Sequence, residues 1–183
     1  MTTISLLLFG ALLFVLLSSG FKRQKLEQYA EGGPRFDVRK VFNGAVLCEG
    51  VIYGPMGSVT SRFVATMDGK WSKDAGNIHE VFTYANGEEQ SRNWRITVKE
   101  NGYFEATADD IVGVAKGRQL GSAARLTYRL QLPETAGGHV LSVTDWMYQL
   151  DNGTIINRSE MRKFGFKVAE LVATMRPLGA SDV

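Results

Sequence analysis

The chain has 183 residues, with 21 Lys and Arg against 19 Asp and Glu, and its formal net charge of +2 is too close to neutral for a nucleic-acid reading based on bulk charge. The single cysteine, Cys48, excludes an intramolecular disulfide and a cysteine-based zinc site. His79 and His139 stand far apart without H-x-H or H-E-x-x-H spacing, so no metal site and no cofactor is expected.

Every charged side chain lies at or after Lys22. Ile4 to Leu17 is interrupted only by Ser5 and Gly10. As a helix, Ile4 to Phe21 would reach ~27 Å at ~1.5 Å per residue, just short of the ~30 Å hydrocarbon core. Residues 1–21 are therefore read as a membrane anchor. A cleaved signal peptide competes, because Ser18 and Gly20 are small residues ahead of a cut at Phe21, but the usual basic n-region is missing. Lys22, Arg23 and Lys25 follow the run and, partly offset by Glu27, would place the domain in the cytoplasm under the positive-inside rule. Residues 22–34 read as a helical linker, with Lys22 to Glu31 continuing the helix until Gly32-Gly33-Pro34 breaks it. The folded domain is expected over 35–178, followed by a short tail at 179–183.

Phe36 to Phe42 suits a short helical plug. From Gly44 onward apolar and polar residues alternate at period two between turn signals, which predicts an all-β domain. The expected strands are 45–53, 58–68, 77–84, 89–99, 103–108, 112–119, 123–132, 139–149, 154–163 and 166–176. Asn86-Gly87, Asn101-Gly102 and Asn152-Gly153 supply the positive φ of tight hairpins, and 20 Gly against 4 Pro agree with many turns. An antiparallel meander of about eight to ten such strands has exposed edges unless it closes, so a β-barrel is predicted.

Side-chain phase then predicts which residues face inward. Leu126, Tyr128, Leu130 and Leu132 share one face, against Arg125, Thr127, Arg129 and Gln131 on the other. A three-residue loop, Ala85-Asn86-Gly87, sets Ile78 against Trp94 and Glu80 against Arg92, whereas a two-residue loop puts the apolar faces out of phase. The first register predicts an inward Glu80/Arg92 ion pair. A two-residue loop at Asn152-Gly153 sets Tyr148 against Asn157 and Trp146 against Ser159, with both pairs inward, and leaves Asp145 outside beside Arg158. Asp109 and Asp110, adjacent at a strand end, diverge and read as a solvated turn rather than a paired-carboxylate site. Gly113 to Gly117 lacks the Lys-Ser or Lys-Thr of a phosphate loop, and no Ser/His/Asp or Cys/His set is assembled by local spacing.

The stretches Arg92-Asn93-Trp94, Thr107-Ala108-Asp109-Asp110-Ile111-Val112-Gly113, Asp145-Trp146-Met147-Tyr148, Ile156-Asn157-Arg158 and Lys163-Phe164-Gly165-Phe166 resemble bacterial domain-of-unknown-function family 3833. The resemblance runs from Phe36 to about Pro177. It implies a lipocalin-type barrel of the cell envelope, often lipid-anchored, and brings no established reaction or ligand. Here Ser18-Ser19-Gly20 has no following cysteine to receive lipid, so an uncleaved anchor in its place is expected. The resemblance outweighs the weak charge rule and implies an inner-membrane protein with its domain in the periplasm.

The function expected is a membrane-tethered, lipocalin-like protein holding an apolar or amphipathic, lipid-like molecule. Trp94, Leu126, Tyr128, Leu130 and Trp146 would line its cavity, and Arg92, Tyr148 and Asn157 would place polar groups in it. The alternative is a structural or interaction module of the envelope whose barrel is filled by side chains. No catalytic constellation points to an enzyme.

Overall fold

The period-two alternation becomes ten antiparallel strands in the computed structural model, which describes residues 21–179. They are β1 (Gly44–Tyr53), β2 (Val59–Ser72), β3 (Ala75–Tyr84), β4 (Glu89–Val98), β5 (Tyr103–Thr107), β6 (Ala115–Leu120), β7 (Ala123–Gln131), β8 (Val140–Gln149), β9 (Ile155–Lys163) and β10 (Phe166–Pro177). Each strand pairs with its sequence neighbours, and β1 pairs with β10 as well, so the sheet closes into a barrel without edges. All ten expected strands are present, with ends moved by a few residues.

Strand direction sorts the connections onto two ends. Residues 54–58, 85–88, 108–114, 132–139 and 164–165 join strands at one end, and the β2–β3, β4–β5, β6–β7 and β8–β9 turns lie at the other. The second end is closed by the expected plug. Its single helical turn, α1 (Val38–Val41), is capped by Asp37, whose side chain accepts from the Arg39 N–H, and buries Val38. The chain leaving α1 presses on the barrel wall at Gly69, where a Cβ would stand 1.7 Å from the Phe42 carbonyl oxygen. Only glycine permits that approach. Trp71 Nε1 donates to the same carbonyl at 2.9 Å. The first end is open, and it carries the exposed apolar side chains Met56, Phe164 and Phe166.

Phe21, expected as the last residue of the anchor, and residues 22–30, expected as part of a helical linker, form two 3-10 turns, Phe21–Arg23 and Leu26–Tyr29, that lie on the outer wall of the barrel. Leu26 is buried with Ala123 and Trp146, Ser122 N donates to the Tyr29 carbonyl, and Glu27 pairs with Arg118 at 2.8 Å. The segment is thus a strap on the domain. The anchor expected over residues 1–21 lies, except for Phe21, outside the described residues. Among the described residues, no helix is long and apolar enough to cross a membrane.

Candidate functional site

Inward residues of the strands do not fill the barrel. They surround a cavity of about 500 Å³ that runs from Val38 and Phe42 at the plug to Asn86 and Pro133 at the open end. Trp94, Leu126, Tyr128 and Leu130 line it as expected, with Phe63 and Phe82 adding aromatic surface. Trp94 and Tyr128 meet edge to face at 5.6 Å.

The β3–β4 hairpin adopts the three-residue loop. Tyr84 N donates to the Glu88 carbonyl, Gly87 takes a φ of +84°, and Ile78 pairs with Trp94 and Glu80 with Arg92. Both members of that last pair face the cavity. Arg92 Nη1 stands 3.8 Å from Glu80 Oε2, a loose ion pair, because the guanidinium is committed elsewhere. Its Nε donates to both oxygens of Asp110, at 3.0 and 2.9 Å, and its Nη2 to Asp110 Oδ2 at 2.7 Å. The solvated-turn reading of Asp109 and Asp110 is therefore half right. Asp109 is exposed near Arg95, whereas the 108–114 loop folds its neighbour inward onto Arg92.

The β8–β9 hairpin corrects the other register. Its loop also has three residues, Asp151-Asn152-Gly153, since Leu150 N donates to the Thr154 carbonyl and Gly153 takes a φ of +84°. The pairs are Met147 with Asn157 and Asp145 with Ser159, not Tyr148 with Asn157 and Trp146 with Ser159. A slip of one residue exchanges the faces of β8. Asp145 and Met147 line the cavity, and Trp146 and Tyr148 sit on the outer wall beneath the strap. There Trp146 stacks on Tyr148 at 6.2 Å, Tyr29 packs against both rings, and Gln24 donates to the Tyr148 hydroxyl. Asn157 does face inward, but its amide donates to the Trp146 carbonyl and its oxygen accepts from Ser159. Arg158, expected beside Asp145, pairs outside with Glu170 at 2.5 Å.

The polar inventory of the interior is consequently acidic. Glu80 is 7 % exposed, and burial pushes its pKa up to about 7 against the pull of Arg92. Burial also lifts Asp145 to about 6, although the Ser159 and Tyr128 hydroxyls beside it favour the charged form. Asp145 Oδ1 is inaccessible and accepts no hydrogen bond. Burial, then Asp145, raises the Tyr128 phenol well above its ordinary value. Cys48, on the β1 wall of the cavity, is pushed up to about 12 by burial and Glu80. A thiol so protonated is a small apolar lining group, not a nucleophile. Among the described residues no group of three or more His, Cys, Asp or Glu is placed to hold a metal ion.

Asp145 and Asp110 escaped sequence reading for different reasons. The signal for Asp145 was available: the three-residue rule that settles Asn86-Gly87, applied to Asn152-Gly153, also brings Met147, Ile155 and Met161 into phase. Asp110 depends on how a seven-residue loop folds, for which periodicity carries no information.

Residues 15–177 match the family described as protein of unknown function (DUF3833). The chain belongs to that family. No curated protein matches it. The matched span takes in every strand of the barrel, so the closed ten-stranded architecture and its cavity belong to the DUF3833 region of this chain.

Proposed function

We propose that this protein is a membrane-tethered, lipocalin-like barrel of the bacterial envelope that binds an apolar or amphipathic, lipid-like molecule in its interior. The observation that carries the reading is the cavity of about 500 Å³, walled by aromatic and aliphatic side chains with a few placed polar groups. That is the size and make-up of small-molecule sites, which run to roughly 300–1,000 Å³. A barrel serving only as a structural module is expected to close-pack its interior instead. Trp94, Leu126, Tyr128 and Leu130 offer the apolar surface, and Glu80, Arg92, Asp145 and Asn157 the polar contacts. Met56, Phe164 and Phe166 are exposed at the open end beside Lys163 and Lys167, which suits transfer of a lipid-like molecule between a membrane surface and the mouth.

The uncharged run Ile4 to Phe21 provides the tether, in the inner membrane with the barrel on the periplasmic side. Labelling of Asp151→Cys by a membrane-impermeant reagent tests the side. Reaction before the inner membrane is ruptured is expected, and reaction only afterwards would reverse the orientation. Binding is tested by native mass spectrometry of protein extracted gently from its own membrane. Wild type is expected to carry extra mass that departs on denaturation, and Ser61→Trp, which puts a ring into the cavity from β2, to carry none. Bare wild-type protein would refute the reading.

A further inference from the structure

The polar groups facing the cavity differ in what they have left to offer. Asn157 has spent its amide on the Trp146 carbonyl and its oxygen on Ser159. Arg92 has given Nε and Nη2 to Asp110, and its Nη1 faces Glu80. Beside them stand two carboxyl groups with no cation at contact distance. Asp145 Oδ1 accepts no hydrogen bond, and Glu80 has its nearest cation no closer than 3.8 Å. Three carboxyl groups thus share one guanidinium, and one of the three neutralises it at contact distance. An anionic headgroup would find the arginine taken and two carboxylates beside it, whereas a cation would complete the charge balance.

We infer that the molecule held in this cavity has a cationic polar end, a protonated amine, which docks between Asp145 and Glu80 while its apolar body lies along Trp94, Phe63 and Leu126. This rests on the ligand-binding reading above. A buried ammonium needs both an opposite charge and acceptors for its protons, and the Asp145 and Glu80 carboxyls provide them from opposite walls of the barrel. The site also makes the affinity depend on pH. Cys48 on β1, Tyr84 on β3, Arg92 on β4, Tyr128 on β7 and Glu88 at the mouth are the other titratable or charged lining groups, with Asp110 behind Arg92. The lining residues of β2, β9 and β10 are uncharged. Burial brings the ionisation of Glu80 and Asp145 up toward neutrality, to about 7 and about 6. An amine therefore binds better as pH rises and both become anions.

Decylamine, decanol and decanoate, which share one chain length, separate headgroup from chain. Titrated into the full-length protein at pH 7.5 with calorimetry as readout, decylamine is expected to bind at least about tenfold tighter than decanoate. That advantage should grow between pH 5.5 and 8. Asp145→Asn and Glu80→Gln should each shrink it, and Asp109→Asn, on the exposed side of the same loop as Asp110, should leave it unchanged. Decanoate binding as tightly as decylamine would overturn the cationic headgroup and leave the apolar cavity as a lipid site. Binding of none of the three would overturn the cavity reading and this inference with it. Should Asp145→Asn fail to fold, the wild-type comparison of the three headgroups still decides.

Discussion

Arg92 holds Asp110 through two of its nitrogens, although the residue directly opposite it in the sheet is Glu80. The register partner is the weaker electrostatic partner, at 3.8 Å, and the stronger one comes from a loop eighteen residues away. The two acids therefore differ in what their loss does. Asp110→Ala leaves a buried guanidinium with only its loose contact and is expected to destabilise the barrel by about 3 kcal/mol or more. Glu80→Gln removes a carboxyl whose charge burial already disfavours, so its cost should stay under about 1 kcal/mol. Urea unfolding of both variants checks the order, and an equal or larger loss for Glu80→Gln would contradict it.

The raised pKa values of Glu80 and Asp145 set a pH trend. A carboxyl that ionises at a higher pH in the folded chain than in the unfolded one binds more protons when folded, so stability is lost as pH rises through the folded pKa. The window here runs from about pH 4, where the same groups ionise in the unfolded chain, to about 7. On the acid side, Asp37, held low by Arg39, and Glu170, held low by Arg158 despite its burial, lose their stabilising charge as they protonate. Maximum stability is expected at about pH 4 to 5, with the melting temperature at pH 8 lower by about 5 °C or more. Thermal unfolding across pH 4 to 9 measures this, and a rise toward pH 8 would be the contrary result.

Much of the barrel is legible in the sequence because one face of every strand is apolar and Gly-containing turns bound most of them. Leu126, Tyr128 and Leu130 cannot be placed on the outer face without exposing that row, so β7 has one solution. β8 has two, because Trp146 and Tyr148 are as apolar as Met147. Its phase is decided by a partner the alternation cannot show, the strap, which covers the outer face with Leu26 and Tyr29. A buried aromatic signals burial without saying on which side of the sheet. The cavity is less legible still, since alternation marks the inner face but not how completely side chains fill the space behind it.

Trp146 separates strap from cavity experimentally. It is 1 % exposed and packs on Leu26 and Ala123, so Trp146→Ala should cost about 3–5 kcal/mol of stability. Because the ring lies outside the cavity, the folded variant should bind decylamine within about twofold of wild type. Calorimetric titration checks this, and a loss of binding in folded protein would return Trp146 to the ligand site.

The methionines provide the most direct test of an occupied interior. Met67, Met147, Met161 and Met175 line the cavity, and Met56 is 91 % exposed on the β1–β2 hairpin. With methyl groups labelled by carbon-13, intermolecular NOEs to the decyl chain of bound decylamine should appear at lining methionines and be missing at Met56. NOEs confined to Met56, or absent from all four lining methionines at saturating ligand, would contradict a binding cavity.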